Sequence, residues 1–334
     1  MARSLIVLPD DSAGPIRAAI DGASRTLRVK MFAFSDPALL EAVIAAKRRG
    51  VKVRVMLNPA RRNGEHDNDA TRRALERSDI EVKDANPAFD LTHEKSMVVD
   101  EATSFVESLN WATKNLTETR DYAVVTTRRH DVDEIIDCFE ADWHRQTFEP
   151  RDKTHLVWCP GPGRERLCEF IDEARHRLFV QNERFQDMVI IERLIRAAQR
   201  GVKVHVMARP PHTLKREKLV EGVGGLRILD DVGIKIHKLK HLKLHGKMLL
   251  ADGVAAIVGS INFAAGSLDG RRELAIDVRD ANVVDRLQTI VQRDWEHSHA
   301  LDLSDEGLLA DLEDRIEDGA QLLGLDAKHD YSGS

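Results

Sequence analysis

The chain is poor in the side chains that staple or stack. It has three cysteines in 334 residues, Cys138, Cys159 and Cys168. An odd number without metal-ligand spacing argues for reduced thiols rather than a disulfide framework. Aromatic residues make up 5% of the sequence, which leaves few faces on which nucleic-acid bases could stack. No apolar run approaches the ~20 residues needed to cross a bilayer. The stretch Leu5-Ile6-Val7-Leu8 is too short for a secretory signal, so a cytoplasmic protein touching membrane at most peripherally is expected. A basic excess is missing too. The net charge is −6, but residues 301–334 alone hold ten acidic and two basic side chains, so the first 300 residues carry +2. That is not the broad basic field of a general nucleic-acid binder.

What is present is a repeat. Gly50-Val51-Lys52-Val53-Arg54-Val55-Met56 returns as Gly201-Val202-Lys203-Val204-His205-Val206-Met207, 151 residues on. Asp142-Trp143 returns as Asp294-Trp295 at an offset of 152. A unit of about 150 residues has been duplicated, which predicts halves at 1–150 and 151–300 and an acidic segment at 301–334. Each half reads as alternating strands and helices, so an α/β fold follows, with mixed, largely parallel sheets flanked by helices. Ser35 or Asp36 before Pro37, and Gly50 after the apolar run, mark the start and stop of one helix, and its counterpart in the second half begins near Asp187 and stops at Gly201. Leu308, Leu312, Ile316 and Leu323 predict a further amphipathic helix over 303–323.

The chemistry concentrates in two matched stretches. His93 and Lys95 are followed by Asp100, Ser108 and Asn110. His245 and Lys247 are followed at identical spacing by Asp252, Ser260 and Asn262. In a strand, alternate side chains share a face, so the His and Lys of each copy point one way, as do the Ser and Asn. An imidazole, an ammonium, a hydroxyl and a carboxamide directed at one spot suit a phosphate: donors for its oxygens and a nucleophile for its phosphorus. Asp100 and Asp252 fall out of step with the lysines and are expected to brace the loop. Asp121 and Glu273 each lie 28 residues past a motif histidine. A carboxylate there could hold the second imidazole nitrogen and fix the tautomer.

At these residues the chain resembles the phospholipase D superfamily, whose signature is the paired HKD motif. The resemblance implies two tandem phospholipase D-like halves forming a pseudo-dimer around one composite site. It also implies attack by one histidine on phosphorus, a phosphohistidine intermediate and an orienting acid near Asp121 or Glu273. The N-terminal copy usually supplies the nucleophile, which assigns attack to His93 and proton donation to His245. The first copy departs from the second in having Glu107 where the other has Gly259.

The expected substrate is a phospholipid, by hydrolysis or by phosphatidyl transfer as in cardiolipin synthases. A nuclease of the same superfamily and a catalytically inactive scaffold are the alternatives. No cofactor or metal is called for, because lysines can neutralise the phosphate, and a monomer suffices if both halves share one site. The loop Glu65-His66-Asp67-Asn68-Asp69 is the weak metal candidate. The basic run Lys235, His237, Lys238, Lys240, His241, Lys243 reads either as a lysine-protected sheet edge or as a funnel toward the second motif.

Overall fold

The computed structural model describes residues 2–59, 66, 68–210 and 219–308. The first half runs β1 (Arg3–Leu8), α1 (Gly14–Asp21), β2 (Thr26–Met31), α2 (Pro37–Arg48), β3 (Lys52–Leu57), α3 (Asp69–Arg77), β4 (Glu81–Asp84) and β5 (Leu91–Thr92). It continues with β6 (Ser96–Val99), β7 (Thr103–Glu107), α4 (Thr113–Thr117), β8 (Thr119–Thr126) and α5 (Arg129–His144). The second half begins with β9 (Leu156–Cys159), α6 (Gly163–Glu173), β10 (Arg177–Asn182), α7 (Met188–Gln199), β11 (Lys203–Ala208) and α8 (Leu219–Asp231). Then come β12 (Lys235–Leu239), β13 (Lys243–Leu244), β14 (Lys247–Ala251) and β15 (Ala255–Gly259). After a π-helical turn at Gly266–Gly270, β16 (Arg271–Val278), α9 (Ala281–Glu296) and β17 (Ser298–Ala300) close the described chain.

Local chemistry sets these boundaries. Asp36 caps α2 by accepting from the amides of Ala38 and Leu39, and its repeat equivalent Asp187 caps α7 by accepting from Ile190. Each cap satisfies amides that the first helical turn leaves without partners. Gly50 and Gly201 follow these helices at φ of +91° and +90°, a backbone shape that glycine adopts without steric cost. Helix α8 runs through Gly224 and Gly225 to Asp231. Gly225 is needed there for contact, because a Cβ would lie 1.8 Å from the Phe185 carbonyl oxygen.

Each half builds one mixed sheet, and the two follow the same plan. The first has the order β1-β8-β7-β6-β2-β3-β4, and the second has β12-β11-β10-β14-β15-β16 with β17 and β9 on its flanks. The βαβ portions are parallel, β2 to β3 to β4 and β10 to β11 to β12. The motif strands are antiparallel, β6 to β7 to β8 and β14 to β15 to β16. The sheets are thus less parallel than the alternation of elements suggested, since short loops join each H-x-K strand to its S-x-N strand as a hairpin.

One apolar layer joins the halves. Leu5, Val7, Val106, Tyr122 and Val124 from the first sheet pack with Trp158, Phe179, Leu250, Val258 and Ile276 from the second. Helices α5 and α9 contribute Val132, Ile135, Leu287 and Val291 to the same cluster. Separate cores lie under the outer helices of each half. Leu301 and Leu303 enter the second of these, and residues 305–308 begin a helix. The rest of the helix expected over 303–323 lies outside the described residues, as do Glu65 and Asp67 of the weak metal candidate. Among the described residues no helix is long and apolar enough to cross a membrane.

Two short strands cross between the halves, and they position the site. β5 runs parallel to β16, pairing Leu91 with Arg271 and Thr92 with Arg272. β13 runs parallel to β8, pairing Lys243 with Thr119 and Leu244 with Arg120. Each motif histidine is the next residue after such a strand, so its neighbour is the acid of the opposite half. The basic run is not a bare edge, because β17 covers β12.

Candidate active site

The crossed strands set the pairing of histidines and acids. His93 Nδ1 lies 2.9 Å from Glu273 Oε2, and His245 Nδ1 lies 2.8 Å from Asp121 Oδ1. The spacing of 28 residues within each copy suggested partners in the same half; the structure exchanges them. The amides of His93 and Glu94 both donate to the Arg272 carbonyl, and that of Gly246 donates to Arg120. With both Nδ1 atoms held by carboxylates, both Nε2 atoms are left for the open side of the site.

The lysines fold back on their own motifs. Lys95 Nζ donates to the His93 carbonyl oxygen, and Lys247 Nζ donates to that of His245. Burial, with Lys247 nearby, brings the Lys95 ammonium down to about 7. The carboxamide oxygens of Asn110 and Asn262 are buried without a hydrogen-bond partner. A native protein rarely leaves such atoms unpaired, and a bound ligand or water would relieve them.

The serines do something different from what their spacing suggested. Ser108 is fully buried; its hydroxyl donates to Asp121 Oδ1 at 2.6 Å and accepts from the Tyr122 amide at 2.9 Å. Ser260 is likewise buried, between the carbonyl and the amide of Leu274. Both hydroxyls are spent on the strand that carries the orienting acid, not on the open side. Asp100 accepts from the amides of Ser24, Arg25 and Thr26, and Asp252 from those of Arg175, His176 and Arg177. These two motif acids tie the β6–β7 and β14–β15 turns to β2 and β10, away from the histidines.

The two histidine environments differ in charge. Burial, together with Lys95, Lys247, Arg271 and His245, drives the His93 imidazolium well below its ordinary range, so this ring is neutral. Phe32 packs edge-on against it, with ring centres 4.9 Å apart. Burial likewise raises Glu273, although Lys95, Ser260 and Ser267 pull against it. At the other ring, burial would raise Asp121, but His245, Lys247 and Ser108 hold it below the usual carboxylate range. A second acid, Glu183, sits 3.8 Å from His245 Nε2 and 2.8 Å from Lys247 Nζ. Burial opposes its ionisation, but Lys247, His245 and Arg209 keep it well below the usual range.

Glu183 was missed by sequence reasoning, although the offset of 151 places it opposite Phe32. Arg120 and Arg272 were missed as well. Each spans the halves: Arg120 reaches Asp294 at 2.7 Å, and Arg272 reaches Asp142 at 3.1 Å. The dipeptides Arg120-Asp121 and Arg272-Glu273, 152 residues apart, were the available signal. Glu94, Cys138 and Asp142 lie close enough to hold a cation. Lys30 already places its ammonium there, 2.9 Å from Glu94 and 2.8 Å from Asp142.

Glu107 is fully buried, and one of its oxygens accepts from Trp111 Nε1 at 2.8 Å. Burial pushes its carboxyl up to about 8. The second half has neither partner: Trp111 is replaced by Phe263, which has no N–H to satisfy, and Glu107 by Gly259. A Cβ on Gly259 would come within 2.5 Å of the Ala275 side chain.

A family model described as cardiolipin synthase, PLD-like domain matches residues 16–143 and again 167–295. The chain belongs to the PLD-like family. Among curated relatives, human mitochondrial cardiolipin hydrolase is 30% identical over 42% of this chain and 57% of its own length. A phospholipase D of Rickettsia conorii is 27% identical over 40% of this chain and 66% of its own. The match thus spans less than two thirds of either relative. The phosphatidylserine synthase of Haemophilus influenzae Rd KW20 superposes with a TM-score of 0.73, over 96% of this chain and 95% of that one, at 10% identity. The polyphosphate kinase of Porphyromonas gingivalis gives 0.68 over 96% of this chain and 53% of that one, at 16% identity. At such identities these two structures establish the shared fold alone. The family match falls once on each half, as the repeat and the two sheets do.

Proposed function

We propose that this chain is a phosphodiesterase or phosphatidyltransferase of the phospholipase D type, acting on a phospholipid through a covalent phosphohistidine. The observation that carries the reading is the crossed pair: two imidazoles, each held at Nδ1 by a buried acid of the opposite half, beside two buried lysines. Neutral His93 is the nucleophile. Its Nε2 attacks phosphorus, the bond from phosphorus to the leaving oxygen breaks, and that oxygen takes a proton from His245. Water or a second alcohol then gives a proton to the now neutral His245 and attacks phosphorus. The N–P bond breaks, and neutral His93 is restored. Ionised Asp121 and Glu183 flank His245, the proton donor. Lys95, Lys247, Asn110 and Asn262 hold the phosphate oxygens. Because the second half completes the first, one chain forms the whole site, and a monomer with an internal pseudo-twofold suffices.

A lipid is favoured over a nucleic acid by charge and by an apolar rim. The first 300 residues carry only +2, whereas nucleic-acid affinity rests on many phosphate contacts. Met188 and Val189 are exposed at the start of α7. That helix is anchored beside the site, where the amides of Gln186 and Asp187 donate to the carbonyl of Phe263, the residue after Asn262. The test is a panel of phosphatidylglycerol micelles, single-stranded DNA and RNA, with chelator and added ethanol. Headgroup release, and exchange onto ethanol, is the expected result. Turnover of DNA alone, collapsing as salt rises, would establish the nuclease instead.

A further inference from the structure

The duplication supplies an internal control for a surface far from the histidines. At the end of the second sheet opposite the site, where β10 and β11 begin, a pocket of ≈ 570 Å³ is lined by Arg175, His176, Arg177 and Lys203. Its remaining walls include Phe179, Leu250, Gly253 and Gln288. Asp252 is the single acid in the lining, and its carboxylate is spent on the amides of residues 175–177. Among the described residues, no ion pair engages Arg175, Arg177 or Lys203.

The equivalent place in the first half carries its own counter-ions. There Arg28 pairs with Glu101 and Glu140, each at 2.9 Å, and Arg54 also reaches Glu140. The repeat replaces every member of that network: Arg28 by Phe179, Arg54 by His205, Glu101 by Gly253 and Glu140 by Gln292. Both acids have gone, while Lys52 is kept as Lys203, and Ser24 and Thr26 have become Arg175 and Arg177. Two arginines have gone and two have come at other positions, but both acids are lost, so the cations around the cavity no longer have internal counter-ions. Burial, helped by Arg177 and Lys235, lowers His205 beside it, consistent with an uncompensated positive field.

We infer that this pocket binds a phosphate group, carried by a soluble phosphate or by an anionic lipid headgroup, at a site separate from the paired histidines. Two guanidinium forks and an ammonium offer the charge-assisted, bidentate contacts that phosphate oxygens accept. The test is calorimetric titration of the whole chain with inorganic pyrophosphate, and co-sedimentation with phosphatidylglycerol vesicles, in about 0.1 M salt, where the Debye length is about 10 Å. The variants are Arg177→Gln/Lys203→Gln and, as control, Lys52→Gln in the first half. All three positions are exposed, so folding is not at stake. Removing two charge-assisted contacts should weaken binding at least about tenfold in the double variant, and Lys52→Gln should bind as the wild type does. A loss seen with pyrophosphate supports the pocket and assigns soluble phosphate. A loss confined to vesicles supports it and assigns the lipid headgroup. Unchanged binding of both probes by the double variant, or equal losses in double variant and control, would overturn it.

Discussion

The two halves of the site share a backbone plan and differ in charge. Around His93 the ring meets Phe32, the buried acid Glu273 is raised, and the neighbouring Glu107 is protonated at neutral pH. Around His245 the place of Phe32 is taken by Glu183, the acid Asp121 is ionised, and the place of Glu107 is taken by glycine. One imidazole is kept neutral, and the other is surrounded by carboxylates. Duplication produces two equal histidines; divergence of a few neighbours gives them the different surroundings on which the proposed roles of nucleophile and acid rest. The same contrast appears below the histidines. Glu94 faces Lys30 on one side, whereas Gly246 on the other leaves room for Tyr122, whose hydroxyl donates to Gln181 at 2.6 Å.

The largest effect should come from erasing the contrast altogether. His93→Ala and His245→Ala should each lower kcat on a lipid diester by roughly four decades or more, and the double variant should be little worse than either, as for residues acting as a unit. Circular dichroism would check that folding is intact. Two independent sites would instead leave about half the activity in each single variant. Next in size are the orienting acids. Asp121→Asn should cost about two to four decades, since it removes the ionised partner of the proton donor. Glu273→Gln should cost about a decade less, because the raised Glu273 contributes less charge. Equal losses in kcat would remove the electrostatic distinction between the halves.

A further effect concerns stability rather than activity. Glu107 has a folded-state value near 8 against an ordinary 4.5. Between those values the folded chain keeps a proton that the unfolded chain has released, so this group's contribution is full below pH 4.5 and is lost as pH rises to 8. Glu107→Gln does not titrate. Relative to wild type, the variant should therefore gain on the order of 3–4 kcal/mol between pH 4.5 and 8. Urea unfolding across that range measures it, and a pH-independent difference would mean that Glu107 is ionised in the fold.

Much of this was legible in the sequence for a physical reason. The repeat, the strand alternation and the capping residues Asp36 and Asp187 are local signals, and the structure places elements where they fall. The coming together of His93, Lys95, His245 and Lys247 follows from matched motifs in a duplicated chain. The crossing of Asp121 and Glu273 was hidden, because it depends on β5 and β13, strands of two residues each that pair only with the opposite half. The serines misled because a hydroxyl in step with an asparagine reads the same whether it faces a ligand or a buried acid. Glu183 lay outside any motif, and only alignment of the halves sets it against Phe32.

The central claim is that His93 alone forms the covalent bond. Bis(p-nitrophenyl) phosphate tests it directly, since its leaving group needs no proton while the second step still needs a base. In His245→Ala the account predicts a burst of about one p-nitrophenolate per chain, with the phosphoryl group mapped by mass spectrometry, after an alkaline quench, to the peptide containing His93. In His93→Ala it predicts no burst. A burst in His93→Ala with the label on His245, or bursts in both variants, would contradict the assignment of roles to the two halves.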